Sequence, residues 1–145
     1  MTTMTTRIPL CLAAALFVLT ALAPHSRAQS APLPPLTQNT RVMGELVAGE
    51  VGYQIQKHCG TISARMLRAM GRLSELESYA TGLGYTQADF KALSKDPAAR
   101  ALRDARVDAY LASNGVTKGD ADSYCRLGYQ EIEKNTLTGW LLRGN

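Results

Sequence analysis

The chain has 145 residues and a formal charge of +4, from 16 Lys plus Arg against 12 Asp plus Glu. Residues 1–28 hold Arg7 and Arg27 and no acid, so the remaining 117 residues carry 14 bases and 12 acids, a formal charge of +2. That length makes one small domain, and the near-neutral balance argues against a dedicated nucleic-acid or polybasic membrane binder, which would concentrate positive charge.

The first element is an export leader. MTTMTTR supplies one positive charge, residues 8–23 form an apolar run broken only by Thr20, and Ser26 and Ala28 occupy the minus-three and minus-one places of a small-x-small cleavage site. The expected mature chain begins at Gln29, with cleavage after Ser30 as the alternative. An uncleaved anchor helix is the competing reading, but Pro24 interrupts it and no stop-transfer charge cluster follows. Cys11, preceded by Ile8, Pro9 and Leu10, lacks the small residue that lipoprotein processing needs. No later stretch is apolar enough to span a bilayer, so a periplasmic or secreted protein with no membrane span is expected after cleavage near Ala28.

Residues 29–39 carry Pro32, Pro34 and Pro35 and read as a flexible, extended arm. From there on only Pro97 remains, with no period-two alternation, so residues 40–145 are expected to form an all-α domain of about five helices. The first spans about 40–57. Val47, Val51 and Ile55 recur every fourth residue beside a row of small residues, Gly44, Ala48 and Gly52. With Gly49, this makes three interior glycines, each costing about 1 kcal/mol relative to alanine. Close approach of another helix is the expected reason, and a ligand groove is the alternative.

The second helix is expected over 62–81, with Ile62, Met66, Met70, Leu73, Leu76 and Ala80 on its core face and Gly82 as its stop. Met66 and Met70 read as core fillers. Arg65, Arg68 and Arg72 line the other face, either as a solvated surface balanced by Glu75 and Glu77 or as an anion or partner surface. TQAD at 86–89 is a capping box for a short helix with Phe90 and Leu93. Asp96 and Pro97 start the next, which runs through Leu102, Val107, Tyr110 and Leu111 to Gly115. Asp120 caps the last long helix, with Ala121, Cys125, Gly128 and Ile132 as its inner stripe. Leu137, Trp140 and Leu141 then read as an apolar cluster, with Trp140 as a core or lid residue.

Loss of the leader removes Cys11 and leaves an even pair, Cys59 and Cys125, in an oxidising compartment, where a disulfide is expected and two free thiols are the alternative. Catalytic chemistry has little to stand on. His58 is the one histidine after residue 28, and its neighbour Cys59 is engaged in the expected crosslink. No C-x-x-C, C-x-x-C-H, G-x-S-x-G or H-E-x-x-H occurs, so no cofactor and no metal is expected. Asp104 and Asp108, and Glu131 and Glu133, are the candidate carboxylate pairs, and neither has an evident reason for the raised pKa an acid catalyst needs.

The runs GDADSYCRLGYQEIEKNTLTGWLLR, APLPPL, KHCGTISAR and ESYATGLGYTQADF resemble a family of small exported alphaproteobacterial proteins known only as a domain of unknown function. The resemblance implies a secreted helical domain with a cysteine pair at Cys59 and Cys125, and no activity, substrate or catalytic residue. The expected function is non-enzymatic interaction with an unknown protein or envelope partner; the alternative is a small cell-envelope hydrolase or lyase whose carboxylates the fold brings together.

Overall fold

Each long helix but one begins where a short polar side chain can accept from its orphan backbone donors. In the computed structural model, which describes residues 32–145, helix α1 (Thr40–His58) is capped by Asn39, whose side chain accepts from the Val42 amide at 3.0 Å. Helix α3 (Gln87–Lys95) has the expected reciprocal box, the Thr86 hydroxyl accepting from the Asp89 amide and the Asp89 carboxylate from the Thr86 amide. These bonds to Thr86, side chain first and backbone second, hold the Asp89 carboxyl below its ordinary pKa. Asp96 caps α4 (Pro97–Ser113) with Pro97 at its first position, and Asp120 caps α5 (Ala121–Glu133). A single turn, α6 (Leu137–Trp140), follows under a Thr136 cap.

The exception is α2 (Met66–Gly82), which has no side-chain cap and starts later than its periodicity predicts. Ile62–Ala64 is strand β1, paired antiparallel with β2 (Leu142–Gly144) so that Ile62 faces Gly144 and Ala64 faces Leu142. The partner strand lies some eighty residues away, which a local pattern does not disclose. The helix also stops later than expected: Gly82 is its last residue, and the chain turns at Gly84, whose φ of +99° is the conformation glycine adopts at least cost.

Two apolar clusters hold these elements. The larger joins Val51, Ile55 and Cys59 of α1 to Ile62, Val107, Leu111, Tyr124, Leu127 and Leu142. The disulfide Cys59–Cys125 closes it, with Cα atoms 5.1 Å apart, within reach of a bridge. The smaller contains Leu36, Val42, Leu76, Ala80 and Tyr85. Leu36 belongs to a 3₁₀ turn (Leu36–Gln38), and the Tyr85 hydroxyl donates to the Pro34 carbonyl at 2.6 Å, so from Pro34 onward the proline segment is held on the helices. The leader, Cys11, the cleavage site at Ala28 and residues 29–31 lie outside the described residues.

The inner face of α5 is rotated from the expected stripe. Tyr124, Leu127, Gly128 and Glu131 are buried, whereas Ala121 is exposed and Cys125 and Ile132 are half-buried. Gly128 is needed there, since a Cβ would stand 2.6 Å from Ile55 Cγ2. Side chains, and not the backbone of another helix, cover the small-residue row of α1 at two places: the Thr138 hydroxyl donates to the Ala48 carbonyl at 3.1 Å, and Gly52 lies against the side chains of Leu142 and Thr138. An added Cβ at Gly44 or Gly49 would meet nothing within 4 Å, so packing explains neither.

Candidate functional site

Periodicity identifies the apolar face of α2, but the structure covers only part of it. Leu76 and Ala80 are buried, while Met66 is 62% exposed, Leu67 87%, Met70 64% and Leu73 49%. Met66 and Met70 are therefore not core fillers. No described element packs over the first two turns of the helix deeply enough to bury them. Leu67, which sequence reasoning passed over, is the clearest signal in retrospect: directly after Met66, it widens the apolar arc beyond one core-facing stripe.

The ridge runs through Leu73 into a groove of ≈ 690 Å³ among α1, α2, α3 and α4, whose walls include Met43, Leu46, Leu73, Phe90 and Leu93. Glu77, Lys91 and Arg103 supply charge at its edge. A mostly apolar concavity with a few polar groups is the usual form of a binding site.

The three arginines have separate structural partners. Arg65 donates from Nε to the Leu142 carbonyl at 2.9 Å, and its amide donates to Leu141 at 2.7 Å, fixing the start of α2 to the end of the chain. Arg68 donates to the Trp140 carbonyl at 3.2 Å, with its guanidinium 4.9 Å from the centre of the Trp140 ring. Arg72 makes a two-pronged contact with Glu45, both bonds 2.8 Å, and a third bond to Glu75 at 2.9 Å. The Glu45 hydrogen bond is the largest reason its pKa is raised. Trp140 is 36% exposed and is not enclosed as a core residue.

The family of unknown function DUF5333 matches residues 34–143. The chain belongs to that family. No curated protein and no solved structure matches it.

The carboxylates of this DUF5333 protein fall into different environments. Glu131 is 4% exposed and bonded on both oxygens, to the Tyr110 hydroxyl at 2.5 Å and to the Thr136 hydroxyl. Burial first, then the bond to Glu131 and its charge, push the Tyr110 hydroxyl up to about 12. Glu131 thus ties α4, α5 and α6 together, and Glu133 lies on the surface. Asp104 and Asp108 share a polar cleft of ≈ 410 Å³ with Glu50 and His58. Each is answered by a cation, Asp104 by Arg103 at 2.7 Å and Asp108 by Lys118 at 3.1 Å, and His58 is stacked on Tyr124 at 4.5 Å between ring centres. Among the described residues, no three His, Cys, Asp or Glu side chains are grouped to hold a metal ion, and no helix is long and apolar enough to cross a membrane.

Proposed function

We propose that this DUF5333 protein is an exported, non-enzymatic interaction protein of the cell envelope, with the α2 ridge and its adjoining groove as the binding face. The observation that carries the reading is the exposure of Met66, Leu67, Met70 and Leu73 side by side on one helix. Single exposed apolar residues are ordinary on a protein surface, whereas a contiguous patch marks a site of association. The disulfide and the absence of a membrane-crossing helix among the described residues are compatible with a periplasmic or secreted location. Residues 1–28 are then the leader, 29–39 the arm and 40–145 the helical domain. The leader's charge and apolar run, and the likeness to small exported alphaproteobacterial proteins, support export.

A photo-crosslinking side chain at Leu67 tests the binding face, with Gln130 on the outer surface of α5 as the control position. Crosslinks to envelope components from position 67 and not from 130 are expected. Equal yields, or none from either, overturn the reading. Mass spectrometry of the envelope-localised protein checks export itself, with Gln29 as the expected first residue.

The hydrolase or lyase reading has one observation in its favour, the cleft that gathers Glu50, Asp104, Asp108 and His58. Cell-wall turnover abolished by Asp108→Asn, with melting temperature unchanged, would establish it over the interaction reading.

A further inference from the structure

Glu131 is the one charged side chain that is buried among the described residues, and no cation pairs with it. Its oxygens accept from two neutral hydroxyls, those of Tyr110 and Thr136. Such bonds orient a carboxylate, but a buried charge is ordinarily answered by an opposite one. Glu131 and both of its partners line a cavity of ≈ 220 Å³ among α1, α4, α5 and α6. Val47, Val51 and Leu137 form its apolar walls, and Gly44, the one exposed residue of the lining, marks its mouth. At about 30 Å³ per water molecule, ≈ 220 Å³ holds about seven waters or a ligand of similar heavy-atom count.

The side-chain hydroxyls around this cavity have their protons committed. Tyr110 and Thr136 donate to Glu131, and Thr138 donates to the Ala48 carbonyl at 3.1 Å. Burial first, and then the bond to Glu131 and its charge, keep the Tyr110 proton in place far above neutral pH. These side chains therefore offer a ligand only lone pairs: the second ones of the carboxylate oxygens and those of the Tyr110 hydroxyl. A negatively charged pocket of acceptors with apolar walls selects a positively charged donor on a hydrocarbon stem.

We infer that this cavity binds a primary alkylammonium group, its nitrogen on Glu131 and its chain against Val47, Val51 and Leu137. A metal ion fits less well, because it gathers about six oxygen ligands and meets here one carboxylate among apolar walls. A quaternary ammonium has no N–H for the free lone pairs, and an alcohol leaves the charge unanswered. The open space beside Gly44, which packing does not explain, is the entrance such a ligand needs. This site is separate from the α2 ridge. It lies where the disulfide holds α5 to the end of α1, so a small ligand meets a preorganised shell.

Residues 29–145, which contain the compact unit Pro32–Asn145 with its own apolar clusters, can be labelled with ¹⁵N and titrated at neutral pH with n-butylamine, which is then protonated. Saturable amide shifts confined to 44–51, 110 and 131–138 are expected, with a Kd on the order of 1 mM for so small a ligand. The isosteric n-butanol, butyrate and tetramethylammonium should each bind at least about tenfold more weakly, the loss expected when a hydrogen bond to a charged group goes unmade. Glu131→Gln should weaken n-butylamine by the same factor of about ten or more. Gly44→Leu fills the mouth and leaves Glu131 and its partners in place; it should also weaken binding about tenfold or more, with the melting temperature unchanged or raised because leucine favours a helix over glycine.

Equal affinity for n-butanol, binding that survives Gly44→Leu, or no saturable shift at any soluble concentration of n-butylamine overturns the inference. Gly44→Leu decides the matter alone if the Glu131→Gln protein does not fold. Nα-acetyl-lysine methylamide carries the same butylammonium end on a peptide unit. Affinity equal to that of n-butylamine supports the site with a partner's lysine as its source, and weaker binding supports it with a free amine. Crosslinking from position 67 bears on the ridge and not on this cavity, so either reading can fail without the other.

Discussion

The two ends of this small domain are built on different terms. At one end the C-terminal halves of α1 and α4, both strands and α5 enclose the larger apolar cluster, closed by a disulfide and by Glu131 bonded to Tyr110 and Thr136. At the other, Val42 of α1, Leu76 and Ala80 of α2, Leu36 and Tyr85 form a cluster of five buried side chains with no covalent tie, and α3, which packs Phe90 and Leu93 against it, has no buried residue at all. The contrast separates a scaffold from a working surface. Binding faces are drawn from the less stable part of a fold because uncovered apolar area contributes nothing to folding; the apolar groove lies on the weakly tied end, and the exposed ridge runs into it from the strand-tied start of α2.

Substitutions at the stapled end should cost the most. Replacing both cysteines with alanine is expected to lower stability by about 4 kcal/mol, from the 66-residue separation on the chain-entropy model. Denaturant unfolding measures it, and a loss below about 1 kcal/mol would mean that the staple contributes little beyond packing. Gly139→Ala comes next. Its Cβ would overlap the Glu131 carbonyl, and the forced shift between α5 and α6 is expected to cost about 1–3 kcal/mol.

Tyr110→Phe removes a donor to a buried carboxylate and should cost about 2 kcal/mol at neutral pH. It also has a pH signature. The folded protein holds the Tyr110 proton up to about 12, whereas an unfolded tyrosine releases it near pH 10, so this contribution is complete below about pH 10 and is lost as pH rises towards 12. Stability of the wild type should therefore decline across that interval, and the Tyr110→Phe protein should lack this component of the decline. The smallest effect belongs to the loose end: Thr86→Ala removes one half of the α3 box and should cost about 1 kcal/mol. Amide exchange should register that loss in α3 while leaving α5 protection intact; equal losses in both would show that the two ends unfold as one unit and dissolve the contrast.

What was legible in the sequence was mainly local chemistry. The Thr86 box, the Asp96 and Pro97 start and the Asp120 cap each depend on neighbours within three residues, and all three stand where they were expected. The cysteine pair was legible for a different reason, the even cysteine count that remains if residues 1–28 are a cleaved leader. Illegible features depend on distant residues. Arg72 finds Glu45 27 residues away, Arg65 finds the Leu142 carbonyl 77 away, and β1 is a strand only because residues 142–144 arrive beside it. Met66 and Met70 show the limit most plainly. Periodicity states that a helix face is apolar, but only the arrangement of the other helices states that no described element covers it.

The pairing of β1 with β2 also sets an order of events during synthesis. Leu142 fills the cluster that Ile55 and Ile62 begin, and the residues opposite β1 leave the ribosome some eighty residues after it. A nascent chain that has released α1 to α4 still lacks the side chain that closes its main core and the cysteine that staples it. It therefore stays incompletely folded until residues 142–144 emerge.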